Sequence, residues 1–255
     1  MSELLKYYRK NPNNLSFWFP KVKDCGFKVP KTFIFNPPEK VVEAYFMDNI
    51  EKDRETVLEY VKNKILPALP KGMSVLFVKN GTFSNKFDFS DCKVIKNVQY
   101  LTEKIINQNY TAAIYDAGGL SEIVIREFIG TLPYIGKNLS CIYNGMPLRP
   151  EFRIFYDFDK RELLYSANYW DYDYCHEGIE QNHTDGIVYN AAYPEIERFY
   201  NEHYEEVEDM VSKCMENVDL TGKWSVDIMY DEETDCYYLI DMAIAEQSAY
   251  WKKDY

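Results

Sequence analysis

Hydrophobic and polar positions alternate between two periods along this chain, and the switches between them mark out most of its predicted elements. Thr32, Phe33, Ile34 and Phe35 read as a short strand, which Pro37 and Pro38 terminate. Over residues 53–66 the apolar side chains Val57, Leu58, Val61 and Ile65 recur at helical spacing, and Pro67 and Pro70 close that helix. A strand is predicted over 74–79, running into the polar glycine loop 80–86, which carries Gly81 and ends on Lys86, so that backbone amides and two cations could meet a phosphate there. A helix over 101–110 precedes a strand over 123–129, and residues 130–133 carry a loop signal. Residues 150–156 and 162–166 form a hairpin, 168–185 read as a Tyr- and Asp-rich loop, and a helix is predicted over 194–216 with Glu195, Glu197, Glu202, Glu205 and Glu206 on its solvated face.

The last predicted hairpin joins strands 224–230 and 236–241 around the polar turn 231–235, and each strand carries one acid. With the turn centred on Glu233, alternation puts Asp227 and Asp241 on one face as near-diagonal neighbours, within reach of a shared divalent ion. Acids flanked by Val, Ile and Leu are costly to bury unpaired, so a cation is a reasonable counterpart. The bland alternative has both acids facing solvent.

Length and composition bound the possibilities. The 255 residues suffice for one large domain or two small lobes. Hydrophobic residues make up 46% and aromatic residues 16%, which excludes a disordered chain and favours a β-containing globular protein. A net charge of −12 argues against attraction to nucleic acid or to anionic membranes through the whole-molecule field. The first residues lack the apolar core of a signal peptide and no run has transmembrane length, so a cytoplasmic location is expected. Six scattered cysteines without a Cys-x-x-Cys pair are expected to be reduced, and Cys175, His176 and His183 match no common zinc spacing.

In order, the strand with Lys79, the glycine loop with Lys86, the strand over 123–129, the strand with Arg153, then Asp227 and Asp241, the chain resembles the ATP-grasp superfamily over residues 74–251. Within it the resemblance is to the clade named for one arginine and two lysines, relatives of the cell-division-cycle D-type ATP-grasp proteins. The resemblance implies an α+β fold in two lobes, whose antiparallel sheets enclose a nucleotide cleft. Residues 1–73 are expected to form an N-terminal α/β region, and 74–255 the nucleotide-binding and catalytic region.

For ATP, the resemblance implies that Lys79 reaches the inner phosphates and Lys86 the outer ones, point charges that offset triphosphate charge. Both could equally be surface lysines. Residues 126–129 resemble the family's hinge strand, where backbone groups of Phe128 and Ile129 would pair with the adenine edge and Glu127 would lie nearby; an internal strand with a charged edge is the alternative. Arg153 matches the family's arginine, whose planar fork suits a transferring phosphate. Its alternative is a salt bridge with Glu151, and Arg149 could assist or bind a substrate carboxylate. Asp227 and Asp241 match the Mg2+-binding acids, although many members carry Asn where this chain has Ala243, which leaves a second metal site to Glu246 or a water.

The implied activity is an ATP-dependent carboxylate–amine ligase that works through an acyl phosphate, with Arg153 and Lys86 catalytic and a peptide or protein among the candidate substrates. Tyr169, Trp170, Tyr172 and Tyr174, with Asp171 and Asp173, could form a lid or acceptor site, or cap a core edge. Three alternatives stand beside the ligase: a non-catalytic ATP-binding assembly protein, an acidic interaction module without nucleotide, and a kinase-like transferase.

Overall fold

The computed structural model describes residues 2–130 and 141–252. The loop signal at 131–133 lies outside the described residues. Two compact units emerge: one comprises residues 1–17 and 31–128, the other residues 18–30 and 129–255. These borders differ from the expected division at 73 and 74, because the segment expected to stand apart contributes a strand and core side chains to the same unit as residues 75–127.

In the first unit α1 (Glu3–Arg9), β1 (Thr32–Phe35), α3 (Glu39–Glu43), α4 (Ile50–Tyr60) and α5 (Leu66–Ala68) lead to β2 (Val75–Asn80), β3 (Lys93–Ile95), α6 (Val98–Ile114) and β4 (Ile123–Glu127). A further helix, α2 (Leu15–Val22), spans the first border. The antiparallel sheet has the order β1-β4-β2-β3, so β4 is flanked on both sides. Its near-continuous apolar run reflects that position: Ile123, Val124 and Ile125 are fully buried. Val57, Val61 and Ile65, the predicted helical stripe, pack into the same core with Leu101 and Ile105. The stripe continues through a π turn over Val61–Ile65 into α5, which contains Pro67, so the helical path ends one residue beyond the first predicted proline stop.

The second unit contains β5 (Cys141–Ile142), β6 (Met146–Pro147), β7 (Glu151–Asp157), β8 (Glu162–Asn168), α7 (Tyr172–Ile179), α8 (His183–Met215), β9 (Lys223–Asp231) and β10 (Cys236–Ile244). Its larger sheet is antiparallel in the order β10-β9-β7-β8. One face carries Phe152, Ile154, Val226 and Ile228, all fully buried, and α8 packs there through Phe199 and Tyr200, whose rings lie 6.3 and 5.4 Å from that of Phe152. Arg153, the register partner of Asp227, projects from the other face.

Two expectations are corrected here. The segment 168–185 is largely helical: Asp171 caps α7 by accepting from the Tyr174 amide, and Tyr172 stacks on His176 one turn later at 4.6 Å. Only Ile179 of that helix is buried, so no apolar period announces it. The following helix starts at His183, not at Pro194, because Asn182 accepts from the Thr184 and Asp185 amides and Tyr189 is buried well ahead of the proline.

Candidate functional site

Lys79 lies in β2 with only 3% of its surface exposed, so the surface-lysine alternative does not hold for it. Its rung partner is Val124, and Glu122, two residues back from Val124, falls on the same face. Glu122 is 1% exposed; burial raises its carboxyl above the ordinary glutamate value, while bonds from Ser16 and the nearby positive field of Lys79 oppose that rise. Ser16 donates to Glu122 through both its amide, at 3.3 Å, and its hydroxyl. A Cβ at Gly81 would stand 2.9 Å from Glu122 Oε2 and 2.5 Å from Asn14 Oδ1, so the absence of a side chain at residue 81 leaves room for these polar groups. Nothing in the sequence marked Glu122 except a single acid directly ahead of an apolar run.

The glycine loop corrects another expectation. Asn80 Oδ1 accepts from the amides of Thr82 and Phe83 at 3.0 and 2.7 Å, Gly81 donates to the Gly119 carbonyl, Asn85 to Gln108, and Lys86 to the Ser84 carbonyl. These amides are spent inside the unit, so a phosphate would meet the lysine side chains rather than a backbone cradle. Lys86, half-buried, starts the 3-10 segment Lys86–Asp91.

The predicted hinge strand stops at Glu127, whose exposed side chain follows the buried Arg126. Glu127 donates its amide to the Lys31 carbonyl at 2.8 Å. Phe128 packs edge-on against Phe89, and the Lys93 ammonium sits 4.9 Å from its ring centre. The chain passes from the first unit to the second between Phe128 and Ile129.

In the second unit, Asp241 stands directly opposite Asp227 instead of diagonal to it. The ladder between β9 and β10 is regular from Cys236 to Leu239, skips Ile240, and resumes at Asp241. The extra residue lets Leu239 and Met242, three apart, both pair with residues on the core face, where they are buried, and turns Asp241 to the Asp227 face. Arg153 donates from Nε and Nη2 to the two oxygens of Asp227 at 2.8 and 2.7 Å. Burial favours the neutral guanidine, yet Asp227, with Asp241 and Glu151 behind it, holds the Arg153 pKa above the ordinary value. Arg153 thus takes Asp227 as an ion-pair partner, and the negative field of Glu151, two residues back along its own strand, adds to that of Asp227. Its guanidinium also lies 4.7 Å from the Tyr169 ring centre.

Other predicted residues are placed elsewhere. Arg149 forms a buried ion pair with Asp231 at 2.7 Å, and its guanidinium fills the space where a Cβ at Gly130 would stand, so it is committed to structure. Trp170 is buried, donating to the Arg149 carbonyl, whereas Tyr174 is exposed against Tyr250. Glu246 is exposed. Among the described residues no group of three or more His, Cys, Asp or Glu side chains could hold a metal, which includes Cys175, His176 and His183. Asp227 and Asp241 fit a hard divalent ion by donor type, and Arg153 faces three carboxylates with one positive charge. A metal there would need further oxygens from phosphate and water.

No protein-family model matches the chain, and no curated protein matches it. Among solved structures it is similar to Cdc123 from Schizosaccharomyces pombe, at 13% identity over 98% of this chain and 90% of that one, with a TM-score of 0.51. A C-terminally truncated form of the same protein matches at 14% identity over 92% and 85%, again at 0.51. D-alanine–D-alanine ligase from Helicobacter pylori matches at 11% identity over 91% and 50%, at 0.41. The chain is α+β and shares its fold with Cdc123.

Proposed function

We propose that this chain, an ATP-grasp fold with a paired-acid rung, binds ATP together with a divalent cation and uses it to join a carboxylate to an amine. The observation that carries the reading is the rung itself: Asp241 opposite Asp227, with the fork of Arg153 on the same face. Asp227 and Asp241 hold the cation, which supplies charge neutralisation to phosphate oxygens. Lys79 and Lys86 place positive charge on the phosphates, and Phe128 and Ile129 take the adenine. In the reaction a substrate carboxylate oxygen bonds to the γ-phosphorus as the bond to ADP breaks. The amine then attacks the acyl carbon, phosphate leaves, and the amine gives up a proton. No side-chain nucleophile enters, so the residues act by position and charge.

A second reading is favoured by one observation. Arg153 spends two of its donors on Asp227, and a guanidinium held that way supports nucleotide binding without turnover, the behaviour of an assembly protein. The test is the thermal shift of the full chain with ATP, with and without magnesium, followed by ADP release against carboxylate and amine panels. A magnesium-dependent shift with ADP release supports the ligase, and a shift without release supports the assembly protein. No shift at millimolar ATP overturns both.

A further inference from the structure

Beside the edge strand β8, the second unit carries a cavity of about 410 Å3, open to solvent, that the nucleotide reading does not use. Four tyrosines line it, Tyr165, Tyr193, Tyr200 and Tyr250, with the carboxylates of Asp171 and Glu197. Its chemistry is that of a box for a positive charge: aromatic faces attract cations, and the two acids add a net negative field.

We infer that this cavity is a binding site for a primary alkylammonium group. The chain already shows the chemistry on its own wall, where the Lys252 ammonium lies 4.9 Å from the ring centre of Tyr165. That ring is held firmly, 4.6 Å from Phe155, with its hydroxyl donating to the Tyr250 carbonyl and accepting from the Lys252 amide. Opposite charge is supplied by Glu197, which accepts from the Tyr193 hydroxyl at 2.7 Å, and by Asp171 at the start of α7. Two carboxylates against one lysine leave the lining one negative charge in excess, room for a second cation or for one that displaces Lys252. An ammonium carries three donors, and the lining offers hydroxyl and carboxylate oxygens to accept them. A neutral alkyl chain of the same length would bring no charge to answer the excess carboxylate. The inference needs neither ATP nor metal, and so stands apart from the function proposed above.

The experiment is a titration of the full chain, followed by its tyrosine fluorescence, with cadaverine and with a blocked tripeptide carrying a central lysine. Pentanol and the matching norleucine tripeptide serve as neutral controls. Saturable binding of either cation without binding of its control is expected, and binding of the peptide alone identifies a protein side chain as the source, whereas equal binding identifies a free amine. Glu197→Gln should weaken binding by roughly fivefold, the worth of one exposed ion pair. Lys252→Ala should tighten it, because the resident ammonium is removed. Absence of saturation, equal binding of the neutral controls, or indifference to both substitutions overturns the inference. Glu197 and Lys252 are exposed, so neither substitution removes core packing, and a far-UV spectrum checks that each variant is folded.

Discussion

Asp241 faces Asp227 across the β9–β10 ladder because Ile240 is left out of it. Without the skipped residue, the pairing of Leu239 with Ile228 would carry on to pair residue 240 with Asp227. Deleting Ile240 therefore closes the bulge and brings the second acid to the same rung, whereas inserting an alanine after Ile240 moves it off. Magnesium-dependent stabilisation by ATP should survive the deletion and vanish with the insertion, as read by thermal shift.

Asp227→Asn removes the charge partner of a guanidinium that is largely buried. Breaking such a pair costs about 3 kcal/mol, and urea unfolding should show a loss of that order. Asp241 is half-buried where Asp227 is buried, so Asp241→Asn should cost less stability than Asp227→Asn while removing the magnesium-dependent part of the ATP shift. Equal stability losses in the two variants would show that Asp241 is as deeply tied into the ion-pair network as Asp227.

Glu122 gives the first unit a pH signature. Its folded pKa lies above the ordinary value of 4.5, so the folded state holds the proton more tightly than the unfolded one. Stability should therefore fall as pH rises from about 4.5 through the folded pKa, and Glu122→Gln should flatten that part of the curve. Lys79→Met removes a charge that favours the ionised carboxylate and should steepen it. Urea midpoints of the three proteins between pH 4.5 and 7 check the signs.

Gly130 stands at φ +90°, where a Cβ would meet Arg149 Nη2 at 1.8 Å. Gly130→Ala must therefore both strain the backbone and displace a guanidinium from Asp231, a loss of more than about 1 kcal/mol. Gly145, also at positive φ but with open space around it, should cost less on the same substitution. Comparing the two by urea unfolding separates side-chain collision from backbone strain.

Much of this architecture was legible in the sequence because its strands are bounded by turn chemistry. The strand ending at Phe35, the Glu162 start of the hairpin's second strand and the Cys236 start of the last strand all match the structure. Two helices were obscured by composition: α7 buries a single residue, and Pro194 looks like a helix start although Asn182 caps the helix twelve residues before it. At the candidate site the residue types of Arg153, Asp227 and Asp241 could be read in advance, but their pairing could not. A bulge leaves no mark in a period-2 pattern beyond the spacing of Leu239 and Met242, and the partner of Arg153 comes from a strand 74 residues away. Arg149 and the glycine-loop amides were misjudged for the same reason, since Asp231 and the Asn80 side chain decide where they point.

The second unit is assembled from chain made early and chain made late. Residues 18–30 belong to it, and Lys28 bridges to Tyr238 while its carbonyl accepts the Leu239 amide at 2.9 Å. During synthesis that early segment emerges some two hundred residues ahead of the strand it must meet, a closure that is entropically slow. The first unit, complete once residue 128 has emerged, can be native on the ribosome while the segment threaded out of its middle still waits for β10.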